Sequence, residues 1–129
     1  MTRRFLSLAL FATACLCQPP TVTYYVGFLR TAPTAVKLPD DDAKTLQAAH
    51  MAHIQFMAKA GALIGAGPVL ASPNLRGIFI FCTASLDKAK EIAEQDPTIK
   101  RGQLMIDIHP WQGPATRPNR AAWRRPSRS

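Results

Sequence analysis

The chain carries three histidines, and two of them, His50 and His53, stand three residues apart in a stretch rich in Ala, Leu, Gln and Met. Wound as a helix from Leu46 at about 100° per residue, His50 falls near 40°, His53 near −20° and Met57 near 20°. Lys44, Gln47, Gln55 and Lys59 fall on the other arc, at about 100° to 220°, so both imidazoles are expected on the buried side. A buried imidazole needs a hydrogen-bond partner, and either ring alone reads as an ordinary satisfied core histidine. A carboxylate reaching one of them would fix its tautomer and make it a general base. Asp96 is the candidate, at about −80° from Leu86 and so close to the inner face of the second expected helix. An Asp before a Pro is also a common cap or turn residue, and that reading stands beside the first.

Other chemistries find less support. The i, i+3 spacing of His50 and His53 would allow both on one metal, with His109 or Asp96 as a third ligand. Neither histidine has a Glu beside it and no second close pair exists, so no metal is expected. Ser72, Ser85 and Cys82 lack the local motif of a nucleophile. The glycines Gly61, Gly65 and Gly67 lead to Pro68 and not to Lys, so they make no phosphate loop and call for no cofactor.

The elements that must position these residues follow from the changing period of the pattern. Tyr24 to Leu29, aromatic and branched, predicts a strand. Pro33 and Pro39 break the chain, Asp40, Asp41 and Asp42 suit a helix start, and Ala43 to Ala60 reads as the helix, ended by Gly61. Leu63 and Ile64 open a short strand that bends at Gly65, Gly67 and Pro68. Ile78 to Cys82 is a continuous apolar run of the kind found in a central strand. Ser85 caps a second helix, from Leu86 to about Gln95, which Asp96-Pro97 stops. A last strand runs from Gln103 to Trp111. This βαββαβ order predicts an α+β, ferredoxin-like fold, an antiparallel four-stranded sheet with two helices on one face. The other face would be bare, and in the last strand Met105, Asp107, His109 and Trp111 alternate with apolar Leu104, Ile106 and Ile108. A homodimer through the sheets is the expected consequence.

Charge and length set the remaining bounds. The 129 residues suffice for one domain, and 47% hydrophobic with 19% charged residues describes a globular chain. The net charge of +8 would suggest a nucleic-acid partner. Seven of the sixteen basic residues, however, lie at the ends: Arg3, Arg4, Arg117, Arg120, Arg124, Arg125 and Arg128. Residues 21–111, the expected domain, hold nine bases and all eight acids, so no basic groove for nucleic acid is expected. Residues 1–17 read as an export signal, with Arg3-Arg4, an apolar stretch and a small-x-small site at Ala12-Thr13-Ala14 that places the mature start near Cys15. The protein is therefore expected to be exported, periplasmic or secreted. A wrongly assigned start or a hydrophobic N-terminal strand would give the same pattern. The 13 uncharged residues from Phe5 to Cys17 fall short of the roughly 20 that a transmembrane helix needs. Ala12 stands where a lipid-acceptor site wants Leu, which argues against lipidation of Cys15. Residues 112–129 hold five Arg and three Pro with few apolar residues, and read as a disordered basic tail.

Several local runs together resemble the YCII-related family. They are His50-Met51-Ala52-His53-Ile54, Gly61-Ala62-Leu63-Ile64-Gly65-Ala66-Gly67-Pro68, Arg76-Gly77 before an apolar strand, Ala93-Glu94-Gln95-Asp96-Pro97, and Gly102. The similarity covers about residues 23–111, and the 18 residues from His50 to Pro68 match that family's spacing. The resemblance implies a dimeric α/β barrel of ferredoxin-like subunits with a His–Asp pair in a pocket, carried here by His50 and Asp96. His53 takes a secondary place and, with Gly67, Pro68 and His109, is a candidate for substrate binding. A few members of the family are similar to lactone-processing lyases and to dehalogenases of aromatic breakdown. The export signal and the Arg-rich tail depart from the family's usual pattern. The resulting expectation is a small enzyme, lyase- or isomerase-like, using His50 and Asp96 for proton transfer on a small anionic or lactone-type ligand. The alternative is a noncatalytic ligand-binding or accessory module in which the same pair is structural.

Overall fold

The computed structural model describes residues 21–115; the expected export signal lies outside the described residues, as do residues 116–129 of the expected tail. In chain order the elements are β1 (Thr21–Thr31), α1 (Asp40–Lys59), β2 (Leu63–Pro68), β3 (Leu75–Phe81), α2 (Leu86–Ala93), α3 (Pro97–Lys100) and β4 (Leu104–Pro114). The four strands form one antiparallel sheet in the order β2-β3-β1-β4. Apart from the short α3, this is the βαββαβ arrangement that the alternating pattern predicts.

Each boundary has a local cause. The helix α1 opens at Asp40 behind Pro39, with the three aspartates inside its first turn, where they complement the dipole without making a side-chain cap. It closes in a Schellman motif: Gly61, at φ 76°, donates its amide to Ala58, and the Ala62 amide reaches the Met57 carbonyl. Ser85 accepts the Lys88 amide at 3.1 Å and so caps α2 as expected. Asp96-Pro97 ends α2 but also starts α3, a four-residue turn with Pro at its first position, closed by Gly102 at φ 70°.

The core lies between the helices and one sheet face. Met57 from α1 and Ala89 and Ala93 from α2 pack with Leu29, Leu63, Phe79, Phe81 and Ile108. Period-two alternation turns the neighbouring residues, Val26, Phe28, Ile78, Ile80, Asp107 and His109, to the opposite face. The last strand runs further than its composition suggests. Gln112, Gly113 and Pro114 pair with Thr23, Val22 and Thr21, so the domain extends past the expected limit of 111 and these residues do not belong to a disordered tail. Pro110 and Pro114 are tolerated because β4 is an edge strand, where every second amide points away from the sheet. The Tyr24 hydroxyl donates to the Pro114 carbonyl at 3.0 Å and ties the end down.

At the other end of the sheet, two glycines let β2 and β3 approach closely. A Cβ on Gly77 would lie 2.9 Å from the backbone carbonyl of Gly67, which has little freedom to move. Overpacking of this kind costs about 1–3 kcal/mol. Gly77→Ala is expected to lower the melting temperature by roughly 5–20 °C, measured by thermal unfolding followed by circular dichroism. An unchanged transition would show that the two strands part freely.

Candidate active site

The site forms where α1 crosses the sheet beside α3. Asp96 is fully buried, and its two oxygens have separate tasks. Oδ1 accepts from the Thr98 amide at 2.9 Å and from the Thr98 hydroxyl at 2.6 Å, which makes Asp96 the N-cap of α3. Oδ2 lies 2.7 Å from Nδ1 of His50, 46 residues earlier in the chain. The cap and dyad readings of Asp96 are therefore both realised, one on each oxygen.

Burial by itself pushes the Asp96 carboxyl up. Hydrogen bonds from the His50 ring, the Thr98 hydroxyl and the Thr98 amide, with attraction to His50, more than offset that and hold it below its ordinary range. An ionised carboxylate only accepts hydrogen bonds, so Nδ1 of His50 carries the proton in the pair. With Nδ1 so engaged, Nε2 is the ring nitrogen left for proton transfer. The His50 ring lies near-parallel to Phe79, with centroids 6.1 Å apart and planes 17° apart, and 12% of its side chain is open to solvent.

That opening gives on a cavity of about 1160 Å³ between α1, the β1–α1 connection and the sheet. The helix wall includes Leu46, Gln47, His50, Met51, Ile54, Gln55, Ala58 and Lys59. Gln47, Gln55 and Lys59 are exposed, as their arc predicts, and the same arc borders the cavity. Met57 alone on α1 is fully buried, and His50 sits between the core side and the cavity side. Sequence periodicity separates apolar from polar arcs, and polar groups lining a cavity look the same as polar groups facing solvent.

The other candidate residues fall in different places. Gly67 and Pro68 line the cavity with His50. His53 does not: its Nε2 lies 3.1 Å from the Ile92 carbonyl and bridges α1 to the end of α2. The two neighbouring imidazoles thus have separate partners. His109 lies on the opposite sheet face, exposed, with Nε2 2.9 Å from Asp107 and its ring against Phe28, so within one chain it is not brought to His50. Among the described residues, no three side chains of His, Cys, Asp or Glu converge. Thr98, Thr31, Gln103 and Arg76 also line the cavity, and the sequence assigned none of them to the site, although Arg76-Gly77 is among the runs that carry the family resemblance. Their signal is positional, since each lies at an element end that only the folded topology gathers.

The YCII-related domain matches residues 23–112, which spans all four strands. No curated protein matches the chain. Among solved structures, the chain is similar to 5-chloro-2-hydroxyhydroquinone dehydrochlorinase from Burkholderia phenoliruptrix AC1100, in complex with 2,5-dihydroxybenzoquinone. The TM-score is 0.52 and the identity 19%, over 68% of this chain and 92% of the other, a likeness of fold.

The geometry of Asp96 gives a signed pH dependence. Its carboxyl is held below the value it has in the unfolded chain, so its contribution is complete above about pH 4 and is lost as pH falls through the lower folded value. Asp96→Ala strips partners from a buried amide, a hydroxyl and a ring nitrogen, and is expected to cost about 3 kcal/mol or more at pH 7. Asp96→Asn should flatten the stability curve below pH 4, as read by urea unfolding between pH 2.5 and 7. A mutant curve parallel to wild type through that range would show that the pair contributes nothing to acid sensitivity.

Proposed function

This chain belongs to the YCII-related domain family, and from that premise we propose that it is a small enzyme that moves a proton on a small anionic or lactone-type substrate. The observation that carries the reading is the 2.7 Å contact between His50 Nδ1 and buried Asp96, which leaves Nε2 for proton transfer on a ring at the cavity wall. In the proposed step, Nε2 takes a proton from an acidic C–H of the bound substrate. The imidazolium so formed is stabilised by the Asp96 carboxylate, and the same proton is then returned to another atom of the substrate or to the departing group. Isomerisation and elimination are the reaction classes that one base of this kind serves. The likeness to a dehydrochlorinase supports an elimination-type chemistry, and the cavity's Gly67 and Pro68 are assigned to substrate contact.

A second reading has its own support. Asp96 is buried and caps α3, so the pair also joins α1 to α3 in the manner of a structural strut. The two readings part on His50→Gln. Enzyme function predicts proton exchange by the wild type that is slowed about 10²- to 10⁴-fold in the folded variant. The exchange is measured by NMR in deuterated buffer with 2,5-dihydroxybenzoquinone and a panel of small lactones. A strut predicts a lowered melting temperature and no exchange in either protein.

Two further parts of the proposal concern assembly and location. The sheet face opposite the helices presents half-buried Val26, Phe28, Ile78 and Ile80 beside exposed Met105 and Trp111, which supports pairing with a second copy. Light scattering should give a dimer mass for the wild type and a monomer mass for Phe28→Arg. Export through residues 1–17 completes the reading, and mass spectrometry of the cell-recovered chain should place its first residue near Cys15.

A further inference from the structure

The cavity has one chemical asymmetry that the proton-transfer reading does not use. Its lining contains the basic side chains Lys59 and Arg76 and the His50 ring, and contains no Asp or Glu. Asp96 stands behind His50, fully buried, and is not part of the lining. Lys59 lies at the end of α1, nine residues or about 13 Å along the helix from His50. Arg76 lies in the sheet beneath, three residues before Phe79, on which the His50 ring stacks; that is about 10 Å of strand.

The backbone has a specific device at Arg76. Gly77 and Phe79 face the helices, so strict alternation would turn Arg76 to the opposite face of the sheet. Instead the β1–β3 register shifts there: Leu29 pairs with Gly77 and Arg30 with Leu75, leaving Arg76 as the extra residue of a bulge. A bulge re-aims the side chain it carries, and Arg76, exposed, is in the cavity lining although alternation from Phe79 would turn it away. Thr31, next after Arg30 in β1 and paired with Leu104, lines the same end, as does Gln103 beside it. Among the described residues Arg76 has no carboxylate partner, so its planar fork of donors is unclaimed.

We propose that Arg76, re-aimed by the β3 bulge and sharing the cavity lining with Thr31 and Gln103, holds the carboxylate of a single-ring substrate and so sets the rest of the ring against His50. This deepens the proton-transfer reading and rests on it for the role of His50. Three strand residues, about 10 Å from Cα to Cα, separate Arg76 from Phe79 beneath the His50 ring, a spacing on the scale of one substituted ring, and the lining there includes apolar Leu29, Phe79 and Leu104. A carboxylate matches the guanidinium fork with two parallel hydrogen bonds, which neither a lactone carbonyl nor an amide does.

The test compares two probes of one shape, benzoate and benzamide, by calorimetric titration of the full chain. Wild type is expected to bind benzoate about tenfold to a hundredfold more tightly, the worth of a charge-assisted pair. Arg76→Gln is expected to bring that ratio close to one while benzamide affinity and melting temperature stay as they are. Arg76→Lys, which keeps the charge and loses the fork, should retain part of the preference. Equal binding of both probes by wild type, absence of benzoate binding, or a preference that survives Arg76→Gln would each overturn the assignment. The two readings fail separately. Benzoate preference that depends on Arg76, in a protein showing no proton exchange, leaves the anion site standing and removes the enzyme. Exchange that depends on His50, with a preference indifferent to Arg76, does the reverse.

Discussion

One buried carboxylate joins parts of the chain that would otherwise have little reason to meet. Asp96 has no contact with water, so each of its lone-pair directions must be answered from within the protein, and the answers come from two elements. Oδ1 is satisfied locally by Thr98 and thereby starts α3; Oδ2 is satisfied across 46 residues by His50 on α1. Among the described residues no buried side-chain nitrogen or oxygen lacks a partner, which fits a core where every polar group has been placed. A buried charge of this kind is costly to strand, and it fixes where α1 can lie on the sheet more narrowly than apolar packing alone would.

That fixing matters because α1 has little else to hold it. Only Met57 of its twenty residues is fully buried, and along much of its length the helix roofs a cavity and not a packed core. The attachments include Met57 and Ile54 at the core, His53 on the Ile92 carbonyl, His50 on Asp96, Asp42 facing Arg101, and the Schellman turn that leads into β2. Two histidines three residues apart therefore divide between them the two neighbours of the helix, α2 and α3. The space left between roof and sheet is lined mostly by apolar groups, and its charged lining residues, Lys59 and Arg76, are both basic.

Much of this was legible in the residues. Apolar periodicity, the cap at Ser85 and the stop at Gly61 give the order and type of all the long elements, and the family pattern singles out His50 and Asp96 together. Other features were hidden for physical reasons. The helix α3 is a single turn, too short for any periodicity, and its start signal, Asp-Pro, is also the stop signal of α2. The end of β4 holds Gly113 and Pro114, residues that usually mark a loop and are accepted here only because the strand is at an edge and a tyrosine anchors it. Arg76 reads as an outward residue by alternation, and its place at the cavity depends on a register shift set by two other strands. His109 alternates correctly yet belongs to the opposite face, since the sequence gives the period of a strand and not which side the helices cover.

The pairing of β1 with β4 also determines where the chain enters and leaves. Thr21 faces Pro114, the two ends of the domain, at one corner of the sheet, whereas Thr31 and Gln103 lie at the other end of the same strands, about 30 Å away. Whatever is joined ahead of Thr21 or after Pro114 is attached at that one corner, far along the strands from the cavity-lining Thr31 and Gln103. The two ends of the described domain thus share one corner, and the cavity-lining ends of β1 and β4 lie at the other, like a vessel whose handle is set apart from its spout.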